Sequence, residues 1–226
     1  MDPLIQTLGL SYCYPGREEA LSHVDFSLSA GDRVALTGPN GAGKTTFLHL
    51  LVGLKKAKAG QVYAFGKPRE TEQEFMEVRA RAGFLFQDPD DQLFCPTVLE
   101  DVAFGPLNLG KTRSQALAVA RDTLATLGMA GFEDRVAHQL SGGEKRMVAL
   151  ASVLSMEPEV LLLDEPTNAL DKSARQKLIK TLLALPQSMI LVSHDEAFVS
   201  TIATRHIRLE SALFVETENW QTTRSA

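Results

Sequence analysis

The run Gly38-Pro39-Asn40-Gly41-Ala42-Gly43-Lys44-Thr45-Thr46 carries chemistry through its spacing. Gly38 and Gly43 bracket four residues, and a lysine and two hydroxyls follow at once. Glycines let several backbone N–H groups close on phosphate oxygens and adopt the dihedrals that such a cradle needs. Lys44 is then placed to reach the β- and γ-phosphates of a nucleotide triphosphate, and the Thr45 hydroxyl to ligate magnesium. Pro39, Asn40, Gly41, Ala42 and Thr46 complete the set expected around the nucleotide. The loop needs a strand before it and a helix after it, so that a helix N-terminus faces the anion. Residues 33–37 alternate as a strand, and 45–52 read as a helix closed by Gly53. The loop by itself does not separate kinases, GTPases and motor ATPases.

Val160-Leu161-Leu162-Leu163 is a wholly apolar run with Asp164 and Glu165 at its C-terminal tip, where open α/β sheets hold ligands. Asp164 is expected in the magnesium shell, and Glu165 as the general base that polarises the attacking water. An acidic strand end that caps the next helix is the plainer alternative. His194 follows the apolar strand 189–192 and can bond to the γ-phosphate while holding the water and Glu165 in register. A lone histidine is otherwise more often structural. Gln87 ends a short strand at 83–86 and can offer its amide to magnesium or water. Tyr14, just before Pro15, can stack its ring on adenine, although edge-strand packing fits its position almost as well.

The elements that must position these residues follow from periodicity. Strands are expected over 4–14, 24–28, 33–37, 61–65, 83–86, 160–163 and 189–192. Helices are expected over 45–52, 72–81, 113–127, 143–155, 172–183 and 195–203, with a terminal hairpin over 206–215. Thr97 and Glu100 pattern as a capping box opening one more helix. This alternation implies an α/β fold with parallel strands and crossovers, and the nearly all-helical middle implies a small inserted subdomain. The tail from Glu216 reads as polar and loose.

With 226 residues, 44% of them apolar, the chain can bury a substantial core. A net charge of −5 argues against a broad nucleic-acid surface. Cys13 and Cys95 lack metal-type spacing and suit a reducing compartment. The start, Met1-Asp2-Pro3, lacks a secretory pattern, and the longest apolar runs are too short to span a bilayer. The chain is therefore expected to be soluble, with any membrane role exerted through a partner.

At Leu140-Ser141-Gly142-Gly143-Glu144 the chain resembles the ATPase subunits of ABC transporters, over almost its whole length. Tyr14, the phosphate loop, Gln87, the Ser-Gly-Gly signature, Leu163-Asp164-Glu165, Asp171 and His194 stand in the family's order. The resemblance implies a P-loop NTPase core of RecA-like, mostly parallel type, with an N-terminal antiparallel β-subdomain. It also implies a helical subdomain inserted at about 88–145, the whole of 1–226 forming one domain. ATP and Mg2+ are the implied cofactors, and ATP hydrolysis coupled to transport the implied activity. Ser141, Gly142, Gly143 and Glu144, at a helix head, would meet the nucleotide held by a second ATPase subunit, an identical copy or a paralogue. Asp171 resembles part of the loop crossing that seam.

The run Phe86-Gln87-Asp88-Pro89-Asp90-Asp91-Gln92-Leu93-Phe94, followed by Pro96-Thr97-Val98 and Asp101-Val102-Ala103-Phe104-Gly105-Pro106, is similar to the ATPases of energy-coupling-factor importers, particularly those for cobalt and nickel ions. That likeness implies an integral membrane subunit contacting the 87–106 region, on the cytoplasmic face of the cell membrane. Leu93 and Phe94 would be its apolar contacts, and Asp90 and Asp91 would meet basic residues. Glu144 stands where many relatives have glutamine, and Asn168 where serine is commoner. A non-transport ABC ATPase acting on DNA or the ribosome is the alternative. It fits less well, because no long coiled coil separates Gln87 from the signature and the chain holds one cassette. A small-molecule kinase would have no need of Ser141-Gly142-Gly143.

Overall fold

The computed structural model describes residues 2–16 and 19–216, so the tail expected to be polar and loose lies almost wholly outside the described residues. The chain opens with β1 (Ile5–Cys13), β2 (Glu19–Leu28), β3 (Arg33–Thr37), α1 (Lys44–Leu51), β4 (Ala59–Ala64), β5 (Lys67–Arg69), α2 (Glu72–Arg81) and β6 (Ala82–Leu85). Three helices follow, α3 (Val98–Asn108), α4 (Arg113–Thr126) and α5 (Gly142–Leu154). Then come β7 (Val160–Asp164), α6 (Lys172–Ala184), β8 (Ser188–Val192), α7 (Glu196–Ile202), β9 (Arg205–Glu210) and β10 (Leu213–Glu216).

One sheet is antiparallel, in the order β2-β1-β4-β5. The other runs β10-β9-β3-β8-β7-β6, parallel except for the returning β10. Its central strands are apolar on both faces because both faces are covered. On β7, Val160 and Leu162 join a core shared with the antiparallel sheet and α1, while Leu161 and Leu163 join a second core under the helices. Ile190 and Val192 of β8 divide from Met189 and Leu191 in the same way. The register places Val192 beside both Leu36 of β3 and Asp164 of β7. Three strand tips thus end side by side.

Helices α3, α4 and α5 pack on one another. Thr112 and Ser141 open α4 and α5 with full capping boxes, through Gln115 and Glu144. At α3 the box is half made: Thr97 caps the Glu100 N–H, but the Glu100 carboxylate accepts the Thr97 hydroxyl.

Strand β2 begins five residues ahead of the expected 24, because His23 (φ 49°) and register shifts interrupt the alternation that marks a strand. Strand β5 was not expected from its Lys-Pro-Arg sequence. Arg69 is buried there because it donates to Ala64 O and pairs with Glu77 at 2.7 Å. Leu93 is a further correction. It is not a surface contact but a core residue, since the 3-10 turn Pro89–Asp91 closes with Leu93 N bonded to Pro89 O and turns the side chain inward. Phe94 alone of the pair is exposed, 65%, with its ring edge-on to Phe104 at 4.9 Å. Asp90 stays exposed, its carboxylate lying 2.6 Å from Lys145 Nζ.

Candidate active site

The glycine loop crosses from β3 to α1 in conformations that only glycine takes readily. Gly38 has φ 141° and Gly43 φ 108°, and a Cβ on Gly38 would lie 2.2 Å from Leu209 O. A side chain there would therefore collide with the backbone of β9. No side chain caps α1 at Gly43, which leaves its first-turn N–H groups facing the cleft. The buried Lys44 ammonium donates to Gly38 O and Pro39 O, both at 2.9 Å, and so holds the loop closed around itself. Burial lowers its pKa, against the opposing pull of Glu165 and Asp164.

Asp164 stands at the tip of β7 with 1% exposure, and its Oδ1 has no hydrogen-bond partner. Burial raises its pKa, while the bond from Thr45 and the charges of Lys44 and Arg146 oppose the rise. An orphaned, buried carboxylate oxygen beside a threonine hydroxyl fits a hard cation that takes oxygen ligands. Gln87 lines the same cleft and could supply a further oxygen. Among the described residues no three His, Cys, Asp or Glu side chains form a metal cage. A cation here would complete its shell with phosphate and water.

Glu165 follows in the left-handed region (φ 45°), a conformation costing about 1–2 kcal/mol for a residue with a Cβ. Its N–H is anchored to Val192 O at 2.9 Å. Its carboxylate accepts the His194 N–H at 3.3 Å and lies 3.2 Å from His194 Nε2. The same His194 nitrogen is 3.4 Å from Lys44 Nζ. Burial raises the Glu165 pKa, partly offset by His194 and Lys44. Tyr14 reaches over from the end of β1, its hydroxyl 2.8 Å from Thr46 Oγ1 and its ring edge-on to Tyr12.

These groups enclose an open cleft of about 840 Å³, the size of a ligand site. Tyr14, Asn40, Gly41, Gly43, Lys44, Thr45, Thr46, Gln87, Glu165 and His194 line it. Pro39 and Ala42 line a neighbouring hollow instead, and Gly38 lies against Leu209 of β9. Ser141, Gly142, Gly143 and Glu144 do not line this cleft; Gly142 lines an adjoining hollow with Gln87, Asn168 and Ala169, and Ser141 and Gly142 are exposed. The Glu144 carboxylate there accepts both the N–H and the hydroxyl of Ser141 at 2.8 Å. Asp171 caps α6, accepting the Ala174 N–H at 2.8 Å.

Sequence reasoning passed over several residues near the cleft. Thr167 lines it, beside Ala169 and the Asn168 noted above only as a departure from relatives. Arg175 forks onto Asp195, the neighbour of His194, at 2.5 and 2.7 Å. Arg146 of α5 is buried and holds the main chain of Phe86 and Gln87. A signal for it existed: Arg146 lies on one helical stripe with the buried Leu150 and Val153, where a charge needs a reason.

A mostly parallel sheet, a glycine loop leading into a helix and an acidic strand tip beside it define a P-loop nucleotide triphosphatase. The family profile described as ABC transporter matches residues 21–168. The chain is 48% identical over 211 residues to a Brucella suis protein of the ABC transporter ATP-binding class, covering 93% of this chain and 87% of that one. It is 45% identical to the energy-coupling factor transporter ATP-binding protein EcfA of Methanothermobacter thermautotrophicus, covering 92% and 68%. Among solved structures it resembles cbiO1 of Clostridium perfringens, part of the ABC transporter complex cbiONQ. There the TM-score is 0.83 at 30% identity, over 95% of this chain and 88% of that one. A bacterial ABC transporter cassette solved as a dimer superposes with a TM-score of 0.85 at 26% identity, over 96% and 100%. The chain belongs to the ABC transporter family. It is an ATP-binding transporter subunit and an ATPase. Among the described residues no helix is long and apolar enough to cross a membrane.

Proposed function

We propose that this chain is the ATP-hydrolysing subunit of an energy-coupling-factor importer and that it works as a dimer with two nucleotides clamped in the seam. The observation carrying this reading is that the signature at the head of α5 does not line the cleft of its own chain. Its first two residues, Ser141 and Gly142, are exposed at a helix N-terminus, which a phosphate brought by a second copy or a paralogue would approach. A related cassette solved as a dimer supports the pairing of two copies.

In this reading Tyr14 stacks on adenine, and the residues from Gly38 to Thr46 hold the phosphates. Ser141, Gly142, Gly143 and Glu144 close on the γ-phosphate from the partner side, and Asp171 lies at the seam. Thr45, Asp164 and Gln87 would hold Mg2+, which would supply neutralisation of the phosphate charge. Glu165 takes the proton of the attacking water, and His194 keeps that carboxylate oriented through its two contacts. Burial, by raising the Glu165 pKa, makes it a stronger base for this step. ATP favours the closed dimer because only that state offers both halves of the site.

Residues 1–226 act as one cassette, with the helical insertion at about 88–145 carrying the signature and the membrane-facing segment. That segment lies within 87–106, where Phe94 and Phe104 form an exposed aromatic pair for an integral membrane subunit on the cytoplasmic face. Cobalt or nickel ions are the proposed cargo, on the likeness of the 86–106 segment to importers of those ions. The test is sedimentation of the Glu165→Gln protein with and without ATP, together with capture from solubilised membranes. ATP-dependent dimers and a co-purifying membrane subunit support the reading. A protein that stays monomeric with ATP bound refutes it.

A further inference from the structure

We propose that Arg146 is a positioning residue for Gln87, clasping its main chain so that Gln87 moves as one body with the signature helix. This rests on the reading of Gln87 as a group that meets magnesium or the attacking water. Arg146 sits one turn into α5 with 2% exposure. Its guanidinium donates to Phe86 O at 2.6 Å and to Gln87 O at 2.5 Å. Two consecutive carbonyls held by one planar fork fix the peptide between them, and so the direction in which the Gln87 side chain leaves the backbone.

A simple stitch between α5 and this segment needs no charge, and a neutral one is already present. Gln92 accepts the Phe86 N–H at 3.2 Å and donates to Ala149 O at 2.7 Å and Ser152 Oγ at 2.9 Å. The exposed Lys145–Asp90 pair adds a third tie, one of little energetic weight. Arg146 is different in kind. Among the described residues no carboxylate lies within ion-pair distance of it, and its Nε has no hydrogen-bond partner. Its charge is balanced at longer range by Asp88 and by Asp164. Burying a cation against carbonyls alone costs stability, which a structural stitch would not require. What the cation adds is rigidity at Gln87 and a positive field at the β7 tip, both reaching the metal-binding side of the cleft. A displacement of α5 therefore reaches the Gln87 carbonyl directly through Arg146, beside the Gln92 tie at Phe86.

The test uses the full chain with Arg146→Met, Arg146→Lys and Gln87→Ala. Methionine has a similar length and no charge to bury, so the variant folds. Loss of a partner in the outer shell of a metal site costs about 10–100-fold in activity or metal affinity. Arg146→Met should accordingly lower kcat about tenfold or more, with KM for ATP changed less than about twofold. Lysine, a point donor, should recover only part of the loss. The Arg146→Met/Gln87→Ala double variant should fall no further than Gln87→Ala alone, because both act through one group. A readout independent of turnover is the Mg2+ concentration that half-saturates quenching of a fluorescent ATP analogue. It should rise several-fold in Arg146→Met, with metal-free nucleotide affinity unchanged. Multiplying losses in the double variant, or an unmoved Mg2+ requirement, would overturn the proposal. Full turnover and magnesium response in Gln87→Ala would instead remove the reading of Gln87, and this inference with it.

Discussion

Glutamine in place of Glu165 should slow catalysis and stabilise the nucleotide-free fold at once. The amide keeps the shape of the side chain and can still accept the His194 N–H seen at 3.3 Å. The backbone stays at φ 45°, so the conformational cost is common to both proteins. What disappears is the proton acceptor, a loss of about 10²–10⁴ in kcat, or about 2.7–5.4 kcal/mol at 1.36 kcal/mol per decade. The stability term has the opposite sign. Burial, the largest cause, raises the Glu165 pKa in the folded chain. A raised carboxylate is no burden below its unfolded pKa, about 4.3, where both states are protonated. As pH rises through the folded value, stability is lost, because the fold must hold a charge the unfolded chain carries in water. Glu165→Gln removes that charge, so its melting temperature should exceed the parent's at pH 7.5, and the gap should close towards pH 4. Phosphate release at saturating ATP gives the first quantity, and calorimetry without nucleotide the second. The parent's kcat/KM for ATP, which reports the free enzyme, should also fall on acidification at a pH above the ordinary glutamate range. A kcat within tenfold of the parent, or a lower melting temperature at pH 7.5, would refute the reasoning.

Lys44→Ala removes a buried ammonium that bridges Gly38 O and Pro39 O. A charge-assisted hydrogen bond is worth about 1.5–3 kcal/mol, so calorimetric ATP affinity should drop at least tenfold, and unchanged affinity would discard its phosphate role. Leu93 and Phe94 should respond in opposite ways although they are neighbours. Leu93→Ser opens the helical core and should cost about 2–5 kcal/mol in urea unfolding. Phe94→Ser should leave unfolding and basal hydrolysis intact while abolishing transporter-coupled uptake. Equal sensitivity of the two positions in either assay would contradict the burial assigned to them.

The chemistry of this protein was legible wherever it is carried by contiguous residues. In Gly38 to Thr46 the backbone itself forms the cradle, so spacing along the chain is also spacing in space. The apolar runs before Asp164 and His194 announced strands buried on both faces, and a strand end in a parallel sheet is already a place for a ligand. Capping chemistry at Thr97 was equally local, and the structure makes half of the expected box.

What only the tertiary structure decided depends on contacts between distant segments. Leu93 and Phe94 read alike as apolar residues, and only the Pro89–Asp91 turn sends one into the core and the other to the surface. The polar strand β5 exists because Arg69 finds partners at Ala64 and Glu77. The union of Lys44, Glu165 and His194 at one nitrogen depends on three strand tips ending in register. Arg146 meets Gln87 across some sixty positions of sequence. Periodicity reports which face of an element is apolar, because that is a property of neighbours along the chain. It carries no term for which distant carbonyl a buried charge will hold, since packing alone brings the two together.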